Sequence, residues 1–203
     1  MERLTRGEWI QTYTGQAVEP LHPKLQDIRL EDIAHSLSNL CRYTGHCSTF
    51  YSVAQHAIMT SEICESECKI LGYGEDVTRR FALLALHHDD SEAYLGDMSR
   101  PLARALLRHM GINLEPYHAR LRCVIGQALD VVNLDTLPHV VNRSDAIALA
   151  TEKIKLMGPE PASWGDLPPT RCDLWRDPML PSVACQRYLQ RHHALMCKRE
   201  RLT

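Results

Sequence analysis

In a helix over residues 76–88, Phe81, Leu84, Ala85 and His88 recur at i, i+3, i+4 and i+7, which puts an imidazole on the face that the helix buries. His87 falls about 100° round the same helix, beside Arg80 and Leu83, and on this reading needs a partner less than His88 does. Two other segments repeat the conflict. His56 abuts the stripe of Val53, Ala57 and Thr60, and Asp145 lies in line with Val141, Ala148 and Leu149. A buried ionisable group must be paired, bound to a metal or neutralised by a shifted pKa. Taken singly, each is satisfied by an ordinary hydrogen-bonded neighbour. Taken together, with Asp89 directly after His88, they offer two imidazoles and two carboxylates that can converge inside a bundle. His56, His88, Asp89 and Asp145 form a mixed nitrogen and oxygen donor set suited to one divalent ion: Mn²⁺, Co²⁺, Fe²⁺, Zn²⁺ or, less well, Mg²⁺. Four protein ligands round a six-coordinate ion leave positions for water and a phosphate oxygen, which is a catalytic type of site.

Helices must position these groups. Ile33, Leu37, Leu40 and Cys41 stripe residues 30–42, and Val53, Ala57, Ile58 and Cys64 stripe residues 50–69. Further helices are expected at about 100–109, 114–132, 137–157 and 181–199, with Gly72, Gly74, Gly96 and Gly111 as punctuation. Trp9–Val18, rich in β-formers around Thr14-Gly15, reads as a short hairpin. Residues 158–181 hold six of the eleven prolines and should be an irregular loop. The expectation is one all-α domain over residues 1–203, with its core at about 30–157, the proline-rich loop 158–181 and a last helix 181–199.

Composition removes several classes. Hydrophobic residues at 44% and charged residues at 24% exclude a disordered or fibrous chain. A net charge of −2 argues against a nucleic-acid polymer as partner, since bulk phosphate neutralisation needs a basic excess, but leaves small anions open. No run approaches the roughly 18 apolar residues that span a bilayer, and Met-Glu-Arg-Leu-Thr-Arg lacks the apolar core of a signal peptide, so a cytoplasmic chain without membrane contact is expected. None of the eight cysteines forms a C-x-x-C pair, and they read as reduced and incidental.

The pattern H…HD…D in an all-α chain resembles the HD-domain metal-dependent phosphohydrolase superfamily. The runs RYTGHCSTFYSVAQHA (residues 42–57) and HDDSEAYLGDMSRPL (88–102) resemble the branch that contains bacterial 5′-deoxynucleotidases and phage-encoded deoxynucleotide phosphohydrolases. That similarity covers roughly residues 8–157. It implies His56, His88, Asp89 and Asp145 as ligands of one divalent ion, Glu92 and Asp97 as a second carboxylate pair near the reacting phosphate, and Arg42 as a phosphate clamp with His46 close by. It also implies a homo-oligomer in a bacterial or phage-infected cytoplasm, acting on deoxynucleotides as a 5′-nucleotidase or a triphosphohydrolase (dATP-type); both break a bond at the same α-phosphorus.

Read without that resemblance, Glu92 is a helix-surface charge, Asp97 an N-cap of the next helix, and Arg42 a cation complementing a helix end. Arg100, Arg104 and Arg108, at i, i+4 and i+8, read as a solvated basic stripe. Other HD chemistries fit less well: alarmone hydrolases follow HDxxED, but Ala93 follows Glu92, and the Gly-Tyr-Pro triad of cyclic-dinucleotide hydrolases is absent. A non-catalytic, metal-stabilised binding module is the remaining alternative.

Overall fold

Ser52 accepts a hydrogen bond from the backbone N–H of Gln55 at 3.1 Å, capping the helix that becomes the centre of the molecule. In the computed structural model, which describes residues 7–197, that helix is α2 (Val53–Ile70), buried along most of its length. The elements run β1 (Ile10–Gln11), β2 (Ala17–Val18), α1 (Leu30–Asn39), α2, α3 (Glu75–His87), α4 (Glu92–Leu95), α5 (Arg100–Met110), α6 (Glu115–Ala128), α7 (His139–Leu156) and α8 (Pro181–Cys197), with 3₁₀ turns at Leu25–Asp27, Arg42–Gly45 and Cys172–Leu174. The helical class and the short antiparallel hairpin, paired Ile10 to Val18, are as the sequence implies. The last two residues of the expected 181–199 helix lie outside the described residues.

α2 packs on α3 and α7, and α8 closes the other side against α1, α2 and α3. Ile33, Leu37, Val53, Ala57, Leu84, Leu121 and Ile125 fill the core between them. The hairpin is fastened by one carboxylate. Asp32 on α1 accepts from Thr12 Oγ1 (2.8 Å), Thr14 N (2.6 Å) and Thr14 Oγ1 (2.8 Å), so its buried charge is satisfied and the flap is fixed to the first helix.

Two boundaries differ from expectation near the site. α1 ends at Asn39, three residues before the expected limit, so Arg42 sits in the following 3₁₀ turn and not at a helix end. A four-residue helix, α4, fills what the sequence leaves as loop; four residues are too few for a periodic signal. α5 has no fully buried residue: Pro101 opens it, Gly111 at φ 67° closes it in the left-handed region, and Leu102 and Leu107 remain half exposed. No helix of the described residues is long and apolar enough to cross a membrane.

Candidate metal centre

Three helices deliver the cluster. α2 carries His56, the turn after α3 carries His88 and Asp89, and the middle of α7 carries Asp145. His56 Nε2 lies 3.3 Å from His88 Nε2 and 3.2 Å from Asp145 Oδ1, and His88 Nε2 lies 3.9 Å from the same oxygen. These three groups could hold a metal ion. Asp89 Oδ2 stands 3.1 Å from His88 Nε2 and 3.6 Å from His56 Nε2, so the structure brings all four expected residues together.

The opposite ring nitrogens decide what those Nε2 atoms can do. His88 Nδ1 is 2.8 Å from the carbonyl of Ala85, which only accepts, so Nδ1 carries a proton. His56 Nδ1 is 2.7 Å from Glu152 Oε1, a carboxylate whose pKa lies below the ordinary range because Arg42 and His56 outweigh its burial. Both neutral rings therefore turn an Nε2 lone pair into one 3.3 Å gap, an arrangement that a cation or a proton relieves; the Thr60 hydroxyl, 3.5 Å from His56 Nε2, reaches one of the two at the limit of a hydrogen bond. Metal–ligand bonds of about 2.1 Å imply adjacent ligand–ligand separations of about 3.0–3.4 Å; the 3.1, 3.2 and 3.3 Å distances fall in that range and the 3.6 and 3.9 Å ones lie just beyond it, so the donor set suits a divalent ion.

Without a metal, a proton takes that place. Burial and Arg42 oppose the His56 imidazolium, but Glu152 and the hydrogen bonds to Asp145 and Glu152 prevail and push its pKa up to about 9. Burial likewise opposes charge on the acids. His88 and His56 nevertheless hold Asp89 at about 2, and the same rings with Arg100 hold Asp145 well below the usual carboxylate range. A pKa raised from about 6.5 in the unfolded chain contributes stability that is complete below pH 6.5 and lost as pH climbs through about 9. In chelator, the thermal midpoint should therefore fall between pH 6.5 and 9, while Mn²⁺ affinity, titrated by calorimetry, should rise over the same window as the competing proton leaves. A midpoint and an affinity that both ignore pH there would contradict this protonation scheme.

Glu152 is a residue of the cluster that the sequence reading missed. It is fully buried; Oε2 accepts from Arg42 Nε (3.0 Å) and Tyr43 O–H (2.7 Å), and Oε1 from His56. It follows Asp145 by seven residues on α7, two turns along one face, so the rule that found Asp145 would have found it. Arg42 is thus committed to Glu152, with its Nη1 3.9 Å from Asp89. Tyr43 and Thr44, at φ 58° and 54°, put two side-chain-bearing residues in the left-handed region; for β-branched Thr44 this is strained backbone beside the cluster. His46 is exposed on the next turn, and no side-chain hydrogen bond joins it to the cluster among the described residues.

His87 corrects the sequence reading. It is as buried as His56: Nδ1 lies 2.6 Å from Asp90 Oδ2 and Nε2 2.8 Å from His192 Nδ1, and Tyr188 O–H donates to Asp90 Oδ1. α3 meets α2 and α7 on one side and α8 on another, so no face of its last turn is left to solvent. The sequence His87-His88-Asp89-Asp90 therefore splits: the inner pair faces the cluster and the outer pair ties the turn to α8.

Beside the cluster opens a cleft of about 310 Å³, lined by Asp89, Glu92, Arg100, Arg104, His118 and Arg122 among others. Arg100, Arg104 and Arg108 are all exposed, as the solvated stripe implies, and the first two also line the cleft, with Arg100 Nη2 donating to Asp145 Oδ2 at 2.6 Å. Two buried polar atoms of this lining, Glu92 Oε2 and Arg122 Nε, have no hydrogen-bond partner among the described residues. Burial, then Asp89 and Asp97, push the Glu92 carboxyl well up; burial and Asp89 raise Asp97. Asp97 does not cap α5, whose N-cap is Ser99. Trp175 stacks on Tyr51 at 5.4 Å and Trp164 tilts on Tyr43 at 6.1 Å, both packing roles.

No family model matches the chain. It is 35% identical over 145 residues, 71% of its own length and 70% of the relative's, to the uncharacterized protein YfdR of Escherichia coli K12. The chain belongs to the YfdR family. A second member-like match, the uncharacterized protein RCAP_rcc00048 of Rhodobacter capsulatus, is 36% identical over 100 residues, and the chain spans 48% of it.

Proposed function

We propose that this chain is an HD-type phosphohydrolase that binds one divalent ion through His56, His88, Asp89 and Asp145 and hydrolyses 2′-deoxynucleotides at the α-phosphate. The observation that carries it is the pair of Nε2 lone pairs, each fixed by its Nδ1 partner, facing two carboxylates beside a cleft into which Glu92 brings a buried carboxyl oxygen without a hydrogen-bond partner among the described residues. When bound, a divalent ion supplies Lewis-acid neutralisation of phosphoryl charge.

The chain's own groups do the rest. Glu92, whose carboxyl burial and its acidic neighbours push well up, faces the cleft and is the group suited to give a proton to the leaving ribose oxygen; Asp97 is the companion acid assigned to activating water. Arg104 lines the cleft beside Arg100 and Arg122, which are paired with Asp145 and Glu115 at 2.6 Å each; a triphosphate that drew these two from their carboxylates would favour the triphosphohydrolase version over the monophosphatase. Arg42 acts mainly through Glu152 and Asp89, holding the cluster from behind.

The test is to load the protein with Mn²⁺ or Co²⁺, offer deoxy- and ribonucleoside mono- and triphosphates, and identify the product as orthophosphate or triphosphate. Deoxynucleoside triphosphates giving triphosphate is the expected result; no turnover with any of them, in a protein that chelator unfolds, would make the metal structural instead. Glu92→Gln should bind Mn²⁺ as tightly as wild type and turn over about 10²–10⁴-fold more slowly. Metal lost in step with turnover would move Glu92 into the ligand set.

A further inference from the structure

We infer that Cys41 and Cys47 are a reversible disulfide site that controls the turn behind the metal cluster. Their sulfurs lie 3.6 Å apart and both residues are only half-buried, so an oxidant can reach them; the Cys64 and Cys68 pair is sealed in the core. The two cysteines flank the strained turn that carries Arg42 and Tyr43, and the Cys47 thiol also leans on the Arg42 carbonyl at 3.7 Å. Burial and Cys41 raise the Cys47 thiol pKa, which slows its own attack on an oxidant; what favours the bond is the proximity and partial exposure of the two sulfurs.

The chemistry closes with a peroxide. One thiolate attacks the O–O bond and becomes a sulfenic acid while one water leaves; the second thiol displaces the hydroxyl, forming the S–S bond and a second water. Two sulfurs give up two electrons, and hydrogen peroxide accepts them. A disulfide of about 2.05 Å draws the sulfurs together and removes the S–H contact to Arg42. The effect passes along observed contacts: Arg42 and Tyr43 both bond Glu152, and Glu152 orients His56. Its metal consequence rests on the reading of the cluster given above.

The experiment treats the reduced full chain with stoichiometric hydrogen peroxide, then scores peptides by mass and Mn²⁺ affinity by calorimetry. A linked Cys41–Cys47 peptide should form before any other pair and be reversed by dithiothreitol. The Mn²⁺ Kd should rise about tenfold, the lower end for losing an outer-shell partner of a metal-bound histidine. Cys47→Ser should keep its affinity through the same treatment. Two free thiols after treatment, or a linked peptide with unchanged Kd, would overturn the inference. A reduced protein that does not bind Mn²⁺ would overturn the metal reading, and the linked peptide alone would then decide whether the site exists.

Discussion

Asp145→Ala is expected to abolish divalent-ion binding and nucleotide hydrolysis together. Its Oδ1 is the oxygen that both imidazoles face, at 3.2 and 3.9 Å, and its Oδ2 holds Arg100 at 2.6 Å. Removing it leaves two nitrogen donors and Asp89, and frees an arginine at the mouth of the cleft. Calorimetric titration with Mn²⁺ and product analysis with deoxynucleoside triphosphates should both drop below detection, and His88→Ala should behave the same way. Either variant with wild-type Mn²⁺ affinity would remove the proposed centre. The metal-free variant should still fold, because Asp145 lies at the edge of the bundle with 17% of its side chain exposed.

Glu152→Ala is expected to have the largest effect on stability. It strands the Arg42 guanidinium, 11% exposed, and deprives the Tyr43 hydroxyl and the His56 Nδ1–H of their acceptor. Breaking a buried pair by deleting one partner costs about 3–5 kcal/mol, or about 6–20 °C in thermal midpoint at this size. Asp89, 3.9 Å from Arg42 Nη1, offsets part of the loss and favours the lower end. Glu152→Gln keeps one carbonyl acceptor and should recover part of the stability while still weakening Mn²⁺ binding, since one oxygen cannot serve both His56 and Arg42. A calorimetric melt of Glu152→Ala within 2 °C of wild type would show that Glu152 is not the anchor of this side of the site.

Periodicity succeeded where an ionisable residue interrupts an apolar stripe. His56 and Asp145 stand out against the apolar stripes of α2 and α7, and the hairpin follows from β-formers around Thr14-Gly15. It failed at the end of α3, where a wheel with one inner face ranks His87 below His88 although α8 buries His87 completely. Its partners Tyr188 and His192 come from 101 and 105 residues away, a distance that no local pattern spans. The i, i+4, i+8 spacing rightly describes a solvated stripe, but it cannot show that the exposed Arg100 also reaches Asp145, a residue 45 positions away.

By itself, then, the chain's order of residues determines the helices, their apolar faces and the ionisable groups that those faces cannot bury unpaired, because all of these depend on neighbours within a few turns. Which nitrogen of each histidine is free, which acid orients it, that Arg42 looks inward to Glu152 and that two cysteines meet across a strained turn were decided only when α2, α3, α7 and the 3₁₀ turn came together. Those are contacts between distant segments, and hydrogen-bond direction and charge pairing are properties of such contacts.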